Sequence, residues 1–497
     1  MSTELKISKN VRTIAITCLQ FGDTGKGKVI DLLSGWADVI VRGTGGANAG
    51  HSVCLGDQTF IFHIIPCGIL YDEVGKFNIV GSGTAVDPRI FCEEVALLRR
   101  QGLSFKHLML ALNAKLTLPT QIVRDRIGEG ESCAGRIGTT GRGIGPTYAD
   151  HALRIGLVVN DLLNPDILAA KVKLNAEFSA RILRSYDPET VRTILSHPNL
   201  GSGAFYHPGK IFNVDAIVQA YLGYGDVLSQ FICDTDLFVQ DHVGGSKLLL
   251  EGAQGTFLDV DHGTRPFTTS TSCTVDGLAK GAGLNRSNVD LSLGVMKGFY
   301  MTRVGEGPFP TELGGNCSAD WCRKSSREKE KADYAGTTVN DTDEFRQGVA
   351  LRIVGGEYGA TTGRPRRTGW LDLPLLRYAL RWGSLNVVLT KLDVLDDCEV
   401  IKVCTHHNYV GNPYFFGDHR IMTGEQLSTA IPAAEFLEHC KPLYKIFPGW
   451  KKSLKGITSF EDLPKELKDI LSFVVEETKI NPKIISVGPD REETIFV

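Results

Sequence analysis

The 497-residue chain is 42% hydrophobic and 22% charged, an ordinary balance for a folded protein with ample material for a core. Its net charge of −3 excludes a chain-wide nucleic-acid footprint. No apolar run approaches the ~20 residues of a membrane span, the start Met1 to Lys6 lacks a signal core, and the twelve cysteines have no paired spacing. A soluble, cytoplasmic protein with reduced thiols, and neither nucleic acid nor membrane as partner, is the expectation.

In chain order, the apolar, β-leaning run Val11 to Thr17 leads into Phe21-Gly22-Asp23-Thr24-Gly25-Lys26-Gly27-Lys28, and a helix is predicted over Val29 to Leu33. Strand, glycine-rich turn and helix is the context that cradles phosphate, because backbone N–H groups converge at a helix N-terminus. Gly22, Gly27 and Lys28 fit the spacing G-x-x-x-x-G-K, but Val29 stands where a hydroxyl should hold Mg²⁺. Either this is a plain βα turn, or the metal is held differently, with the loop carboxylate Asp23 as the alternative donor.

A second buried strand, Asp38 to Arg42, runs into a glycine-dense loop, Gly43 to Gly50, that ends in Asn48 and His51. Such a loop lets backbone approach a ligand and sets a proton-transfer group at its end. Leu55 to Ile65 alternates around Gly56-Asp57 as a hairpin, Ile79 to Ala85 reads as a strand and glycine turn, and Pro88 to Arg100 has helical spacing. Arg136 to Pro146 combines two threonines, two arginines and four glycines, which suits anion binding, although composition alone favours a flexible surface loop. Residues 151–235 read as mostly helical, with a polar interruption over Ser196 to Gly203.

Lys247 to Glu251 is a strand candidate leading into Gly252-Ala253-Gln254-Gly255-Thr256. The Asp/His cluster over Asp259 to Thr264 reads as hydrogen-bonded loop structure, since its members fall within one short turn-like run. Gly314 to Gln347 is strongly polar and is expected to be an exposed insertion with a solvated helix face. Gly359 to Trp370 carries three arginines between glycines, a composition for a multiply charged anion. A helix over Leu371 to Trp382 and a buried strand over Leu385 to Leu389 follow. That strand ends in Thr390-Lys391-Leu392-Asp393, where a carboxylate suits the N1–H and 2-amino donors of guanine. Lys483 to Ile485 is a final short strand, followed by the turn Ser486 to Asp490.

Taken together, the loop at 22–28, Asn48 to His51, the run at 139–146, Glu251 to Gly255, Ala360 to Trp370 and Thr390 to Asp393 resemble the adenylosuccinate synthetase family, in that family's order. The resemblance implies an α/β fold with a large, mostly parallel central sheet and flanking helices, akin to P-loop NTPases, with small antiparallel elements. It covers 1–497 as one domain, with excess length at about 314–347 and 406–460. It implies a GTP-dependent ligase that joins IMP and L-aspartate through a 6-phosphoryl intermediate.

By the same resemblance Asp23 is the general base at N1 of IMP, His51 the acid, Lys26 the group that steadies the transferring phosphoryl, and Gln254 a further catalytic residue. Mg²⁺ is held by Asp23 and the Gly50 carbonyl. The GTP set is Gly22, Asp23, Thr24, Gly25, Lys26, Gly27, Lys28, Gly50, His51, Ser52, Arg366, Lys391, Leu392, Asp393, Ser486, Val487 and Gly488. The IMP set is Asn48, Ala49, Thr140, Arg154, Gln254, Thr269 and Arg364, with Arg154 reaching the IMP phosphate from the partner in a homodimer. The aspartate set is Ala360, Thr361, Thr362, Gly363, Arg364 and Arg366. Departures from the family pattern are Thr24 in place of a usual Glu, Phe21 in place of a common Trp, and Pro365 within the arginine run. Two rivals stand beside this reading. One is a related ligase using dGMP or GMP, although such relatives replace the loop aspartate that this chain keeps. The other is a GTP-binding switch protein, which has no use for His51 or the arginine loop.

Overall fold

The structure, a computed structural model, describes residues 7–55, 58–131, 136–200, 203–359 and 363–497. Its centre is a ten-stranded sheet: β1 (Thr13–Cys18), β2 (Val39–Arg42), β3 (Phe77–Val80), β4 (Leu108–Ala111), β5 (Ile232–Cys233), β6 (Leu248–Glu251), β7 (Leu291–Lys297), β8 (Asn386–Thr390), β9 (Asn481–Ser486) and β10 (Thr494–Phe496). Their spatial order is β5-β4-β3-β2-β6-β1-β7-β8-β9-β10. Every pairing is parallel except the last, in which β10 runs antiparallel to β9. β1, β2 and β6 are buried at every position, which is why they read as unbroken apolar runs rather than alternating ones.

Two large cores flank this sheet. One joins Ile14, Ile30 and Phe62 to the helical segment through Val172 and Tyr221. The other joins Phe21, Phe257 and Trp370 to Leu467 and Ile485. The helix Pro88–Arg100 has the expected bounds, with Asp87 accepting from the N–H groups of Arg89 and Ile90. The expected helical stretch contains Pro165–Leu183, Pro188–Leu195 and Val214–Leu228, and its polar interruption holds a short 3₁₀ turn over Pro198–Leu200. His51–Leu55 and Gln58–Phe62 form the expected hairpin, whose turn at 56–57 lies outside the described residues. Among the described residues, no helix is long and apolar enough to cross a membrane, and the described cysteines are free thiols.

Three expectations are corrected. First, the charge run in 314–347 is not solvated throughout: the segment folds into helices Gly315–Lys324 and Arg327–Asp333, with the expected exposed charged face and one exception. Arg327, Glu328, Lys329 and Lys331 face solvent, but Glu330 is fully buried and receives bonds from Trp321 Nε1 (2.6 Å), Tyr358 Oη (2.9 Å) and the Arg352 guanidinium. A charge run hides such a residue because its partners lie outside the run. Second, Leu371 does not start a helix. Arg367–Asp372 is a strand paired with Tyr300–Arg303 and Val400–Tyr409, and the helix is Leu373–Ala379. Asp372 sets that boundary by accepting from the Leu375 N–H at 2.9 Å, with Pro374 in the first turn. Third, β10 follows the strand expected to be last. The 406–460 segment packs against the same second sheet, Val400–Tyr409 pairing with Cys440–Pro448.

Candidate active site

In open parallel sheets the ligand crevice lies outside the carboxyl ends of the strands. Here the loops after β1, β2, β6 and β8 meet at that edge, and one pocket is lined by Gly22 to Gly27, Asn48 to Ser52, Thr139, Thr140, Gln254, Arg303 to Glu306, Arg364 to Arg367 and Lys391. The loop after β1 turns through left-handed backbone at Gly22 (φ 87°), Asp23 (φ 50°) and Gly25 (φ 78°), and the helix Lys26–Ser34 starts from it. Gly27 has a packing reason as well: a Cβ there would lie 2.4 Å from the Ser52 carbonyl oxygen. The turn is therefore pressed against the hairpin that begins at His51.

Asp23 keeps 35% side-chain exposure and meets the Arg366 guanidinium at 2.7 Å. Burial would raise its carboxyl, but Arg366, Lys297 and Lys26 together hold it below the ordinary value, so it stands as a carboxylate. Lys26 is buried and donates to the Gln254 carbonyl at 2.6 Å. Gln254 has φ 50°, and its Oε1 is buried without a hydrogen-bond partner, as is Asn48 Oδ1. Two orphaned amide oxygens beside one pocket are the mark of a site built for a donor-bearing ligand.

His51 is 7% exposed, and its Nδ1 lies 2.6 Å from Glu251 Oε1 and 2.9 Å from Arg42 Nη1. The same oxygen receives Arg42 Nη1 at 2.5 Å, and Oε2 receives the Cys67 N–H at 2.9 Å. Burial, aided by Arg42, pushes the His51 imidazole down to about 4. Burial would raise Glu251, but Arg42 and the His51 bond hold it at about 2. With Nδ1 committed to Glu251, Nε2 is the nitrogen left for a ligand. His51, Cys67 and Glu251 also lie close enough together to suggest a metal. Arg42 already supplies the positive charge there, and burial holds the Cys67 thiol protonated.

The predicted guanine set assembles next to the phosphate loop. Lys391 (φ 56°) bonds the Gly355 carbonyl at 2.8 Å and Glu357 at 2.9 Å; Leu392 is buried beneath it, and burial raises the Asp393 carboxyl. Lys28 does not line the pocket. It bonds Ser486 Oγ (2.8 Å), the Gly488 carbonyl (2.6 Å) and the Glu493 carbonyl (3.0 Å), and burial pushes it down to about 8. Its side chain thus ties the phosphate loop to the Ser486-Val487-Gly488 turn. Thr24 is fully buried; its hydroxyl has no partner, and its carbonyl accepts from Thr390 at 2.8 Å, joining the loop to β8.

Among the remaining expected residues, Ala49 lines the pocket, while Thr269 does not, its N–H bonded to the Leu258 carbonyl at 2.8 Å. Arg154 is exposed, holds φ 64° and does not line the pocket. Ala360, Thr361 and Thr362 lie outside the described residues; Gly363 (φ 65°) and Arg364 follow them. The Asp259 cluster is loop structure as expected, Asp259 Oδ1 accepting from the N–H groups of Asp261 and His262.

Sequence reasoning gave no role to Arg42, Lys297, Arg303, Glu306, Arg323 or Glu357. Arg323 forms a two-pronged pair with Glu306 at 2.9 and 3.0 Å, bringing the presumed insertion to the pocket wall. Arg303 is buried with its guanidinium over the Phe21 ring, 4.3 Å from the centroid. A usable signal existed for two of them: Arg42 and Lys297, like Glu251, each end an apolar strand with a charge.

For magnesium, Asp23 and Gly50 both border this pocket, and hard oxygen donors, a carboxylate and a carbonyl among them, are what that ion prefers. Val29, in the position of the absent hydroxyl, is buried in the core.

The family model of adenylosuccinate synthetase matches residues 15–495. An adenylosuccinate synthetase of Crocosphaera subtropica is 38% identical over 485 residues, 96% of this chain and 93% of that one. The structure of a fully ligated adenylosuccinate synthetase from Plasmodium falciparum superposes with a TM-score of 0.79 at 30% identity, covering 98% of this chain and 100% of that one. A succinoaminodeoxyadenylate synthetase of cyanophage S-2L, bound to dGMP and dATP, shares the fold with a TM-score of 0.51 at 16% identity, over 98% of this chain and 96% of that one.

Proposed function

The chain belongs to the adenylosuccinate synthetase family, and on that footing we propose that it joins IMP and L-aspartate into adenylosuccinate, with GTP converted to GDP and phosphate. The observation that carries the reading is the convergence of Asp23, Lys26, Asn48, His51, Gln254 and Arg366 on one pocket. Free lactam oxygen is a poor leaving group, so O6 of IMP must be phosphorylated before an amine displaces it. Asp23, held as a carboxylate, takes the N1 proton, and O6 attacks the γ-phosphate. Protonated as the phosphates enter, with Nδ1–H on Glu251, His51 donates its Nε2–H to the charge that builds between phosphate and O6. Lys26 steadies the transferring phosphoryl group, and the amine of aspartate then displaces phosphate at C6.

The orphaned amide oxygens of Gln254 and Asn48 support IMP as the ligand between them, with Thr140, Ala49 and Thr269 around it. Arg364 and Arg366 would clasp the aspartate carboxylates together with the 360–363 segment. GTP would lie along Gly22 to Gly27, Gly50 to Ser52 and Lys391 to Asp393, where Asp393 favours guanine over adenine. Lys28 serves that end by holding Ser486 and Gly488. Mg²⁺ would be held by Asp23 and the Gly50 carbonyl and would supply neutralisation of phosphate charge.

A homodimer completes the reading. Arg154 is exposed and does not line its own pocket, and Leu153, Leu163, Ile167 and Leu174 present apolar surface near it in the chain at 57%, 43%, 47% and 49% exposure. The free thiols fit a reducing, cytoplasmic setting. Retention of Asp23 favours IMP over a dGMP substrate. Purified protein with IMP, aspartate, GTP and Mg²⁺ is expected to form adenylosuccinate, GDP and phosphate in an absorbance assay. Consumption of dGMP with IMP untouched would overturn the reading.

A further inference from the structure

Beyond the groups that touch substrate, one buried carboxylate sits between Lys391 and the base of the arginine loop. Glu357 is 3% exposed, and its Oε2 meets Lys297 Nζ at 2.6 Å. Its Oε1 receives Lys391 Nζ at 2.9 Å and the Tyr300 hydroxyl at 2.6 Å. Lys297 is fully buried at the end of β7, and its backbone exchanges bonds with the Gln20 side chain just before the phosphate loop, at 3.2 and 3.4 Å. Lys391 carries the guanine end. The Glu357 carbonyl accepts the Arg366 N–H at 2.8 Å, closing the base of the arginine loop, and Arg366 in turn pairs with Asp23.

The bland alternative is a buried ion network kept for stability. That is a weak account here, because such networks are often no more stable than apolar packing of the same volume. What the network does uniquely is hold two segments distant in sequence, 297–300 and Lys391, on one carboxylate, while the carbonyl of the same residue holds Arg366. We propose that Glu357 is a positioning residue that couples the guanine end of the site to the arginine loop, so that GTP and aspartate reinforce each other's binding. The proposal rests on the functional reading above. GTP holding Lys391 in place holds Glu357, which sets the Arg366 backbone in the geometry that receives aspartate. By reciprocity, aspartate on the loop tightens GTP by the same factor.

The test is calorimetric titration of a non-hydrolysable GTP analogue with Mg²⁺ and saturating IMP, with and without L-aspartate. In the wild-type protein aspartate is expected to tighten the analogue by about 5-fold or more. In Glu357→Gln the factor should fall below about 2-fold while IMP affinity stays within about 2-fold of wild type. Tyr300→Phe removes one bond to the same oxygen and should lower the factor part way; it serves should Glu357→Gln not fold. No aspartate effect in wild type, an unchanged factor in a folded variant, or an equal loss of IMP affinity would each overturn the coupling role. A wild-type protein that binds neither IMP nor the analogue would sink the functional reading itself and the coupling with it, a result distinct from those three.

Discussion

Glu251 and Glu357 hold buried negative charge on opposite flanks of the phosphate loop, yet they are built from different materials. Glu251 ends β6, next to β1 on one side, and takes its partners from the end of β2 and from the two ends of the hairpin segment that follows it: Arg42, His51 and the Cys67 N–H. Glu357 meets Lys297 at the end of β7, on the other side of β1, but itself follows the helix Glu344–Gly355 and reaches Lys391 beyond β8. Both carboxyls are held at about 2 against burial, Glu251 chiefly by Arg42 and Glu357 by Lys297 and Lys391. A hub on the sheet inherits the sheet's rigidity and suits a group that must not move, here His51. A hub strung between loops can transmit position, which suits a site that must assemble around two ligands. The difference is one of anchoring, not of charge.

That contrast sets the scale of the expected effects. Asp23→Asn, between the two hubs, should lower kcat by about 10²- to 10⁴-fold while the GTP analogue still binds, measured by steady-state kinetics and calorimetry. Turnover near wild type would remove Asp23 from the base role. Glu251→Gln should lower kcat by about 100-fold with smaller changes in KM, and cost about 3 kcal/mol in denaturant unfolding, because Arg42 is left buried and unpaired. A variant that raised KM for GTP and aspartate instead would erase the distinction between the hubs.

A smaller effect probes a residue that neither hub touches. Mixing inactive Asp23→Asn and Arg154→Ala proteins should recover roughly a quarter of wild-type activity, half the dimers being mixed with one intact site each. No recovery, with subunit exchange verified by mass, would put Arg154 outside the partner's site. The smallest effect is on acid stability. Glu251 and Glu357 lie near 2 against an ordinary 4.5, so the stability they contribute is present above about pH 4.5 and is lost as pH falls toward 2. His51 lies near 4 against 6.5; the unfolded chain takes up that proton first, so stability also falls between pH 6.5 and 4. Glu357→Gln should flatten only the lower window of a melting-temperature profile, and an unaltered slope there would contradict the paired state of Glu357.

The sequence by itself determined the parts that depend on neighbours in the chain. A glycine turn between β1 and its helix, a strand ending in Thr390-Lys391-Leu392-Asp393, and the helix Pro88–Arg100 are local arrangements of backbone preference and apolar spacing, and the pocket is built from several of them. Six ordered motifs were enough to indicate the reaction. What only the tertiary structure decided is which charges meet. Lys28 reads as a phosphate ligand but is spent on Ser486 and Gly488, more than 450 residues away in sequence. Glu330 sits in a run of solvated charges but is buried against Arg352, and Glu357 stands beside an arginine loop but answers to Lys297 and Lys391. Backbone preference acts within a few residues and leaves its mark in the sequence, whereas a buried charge is set by whatever the fold brings within about 3 Å, which no local pattern records.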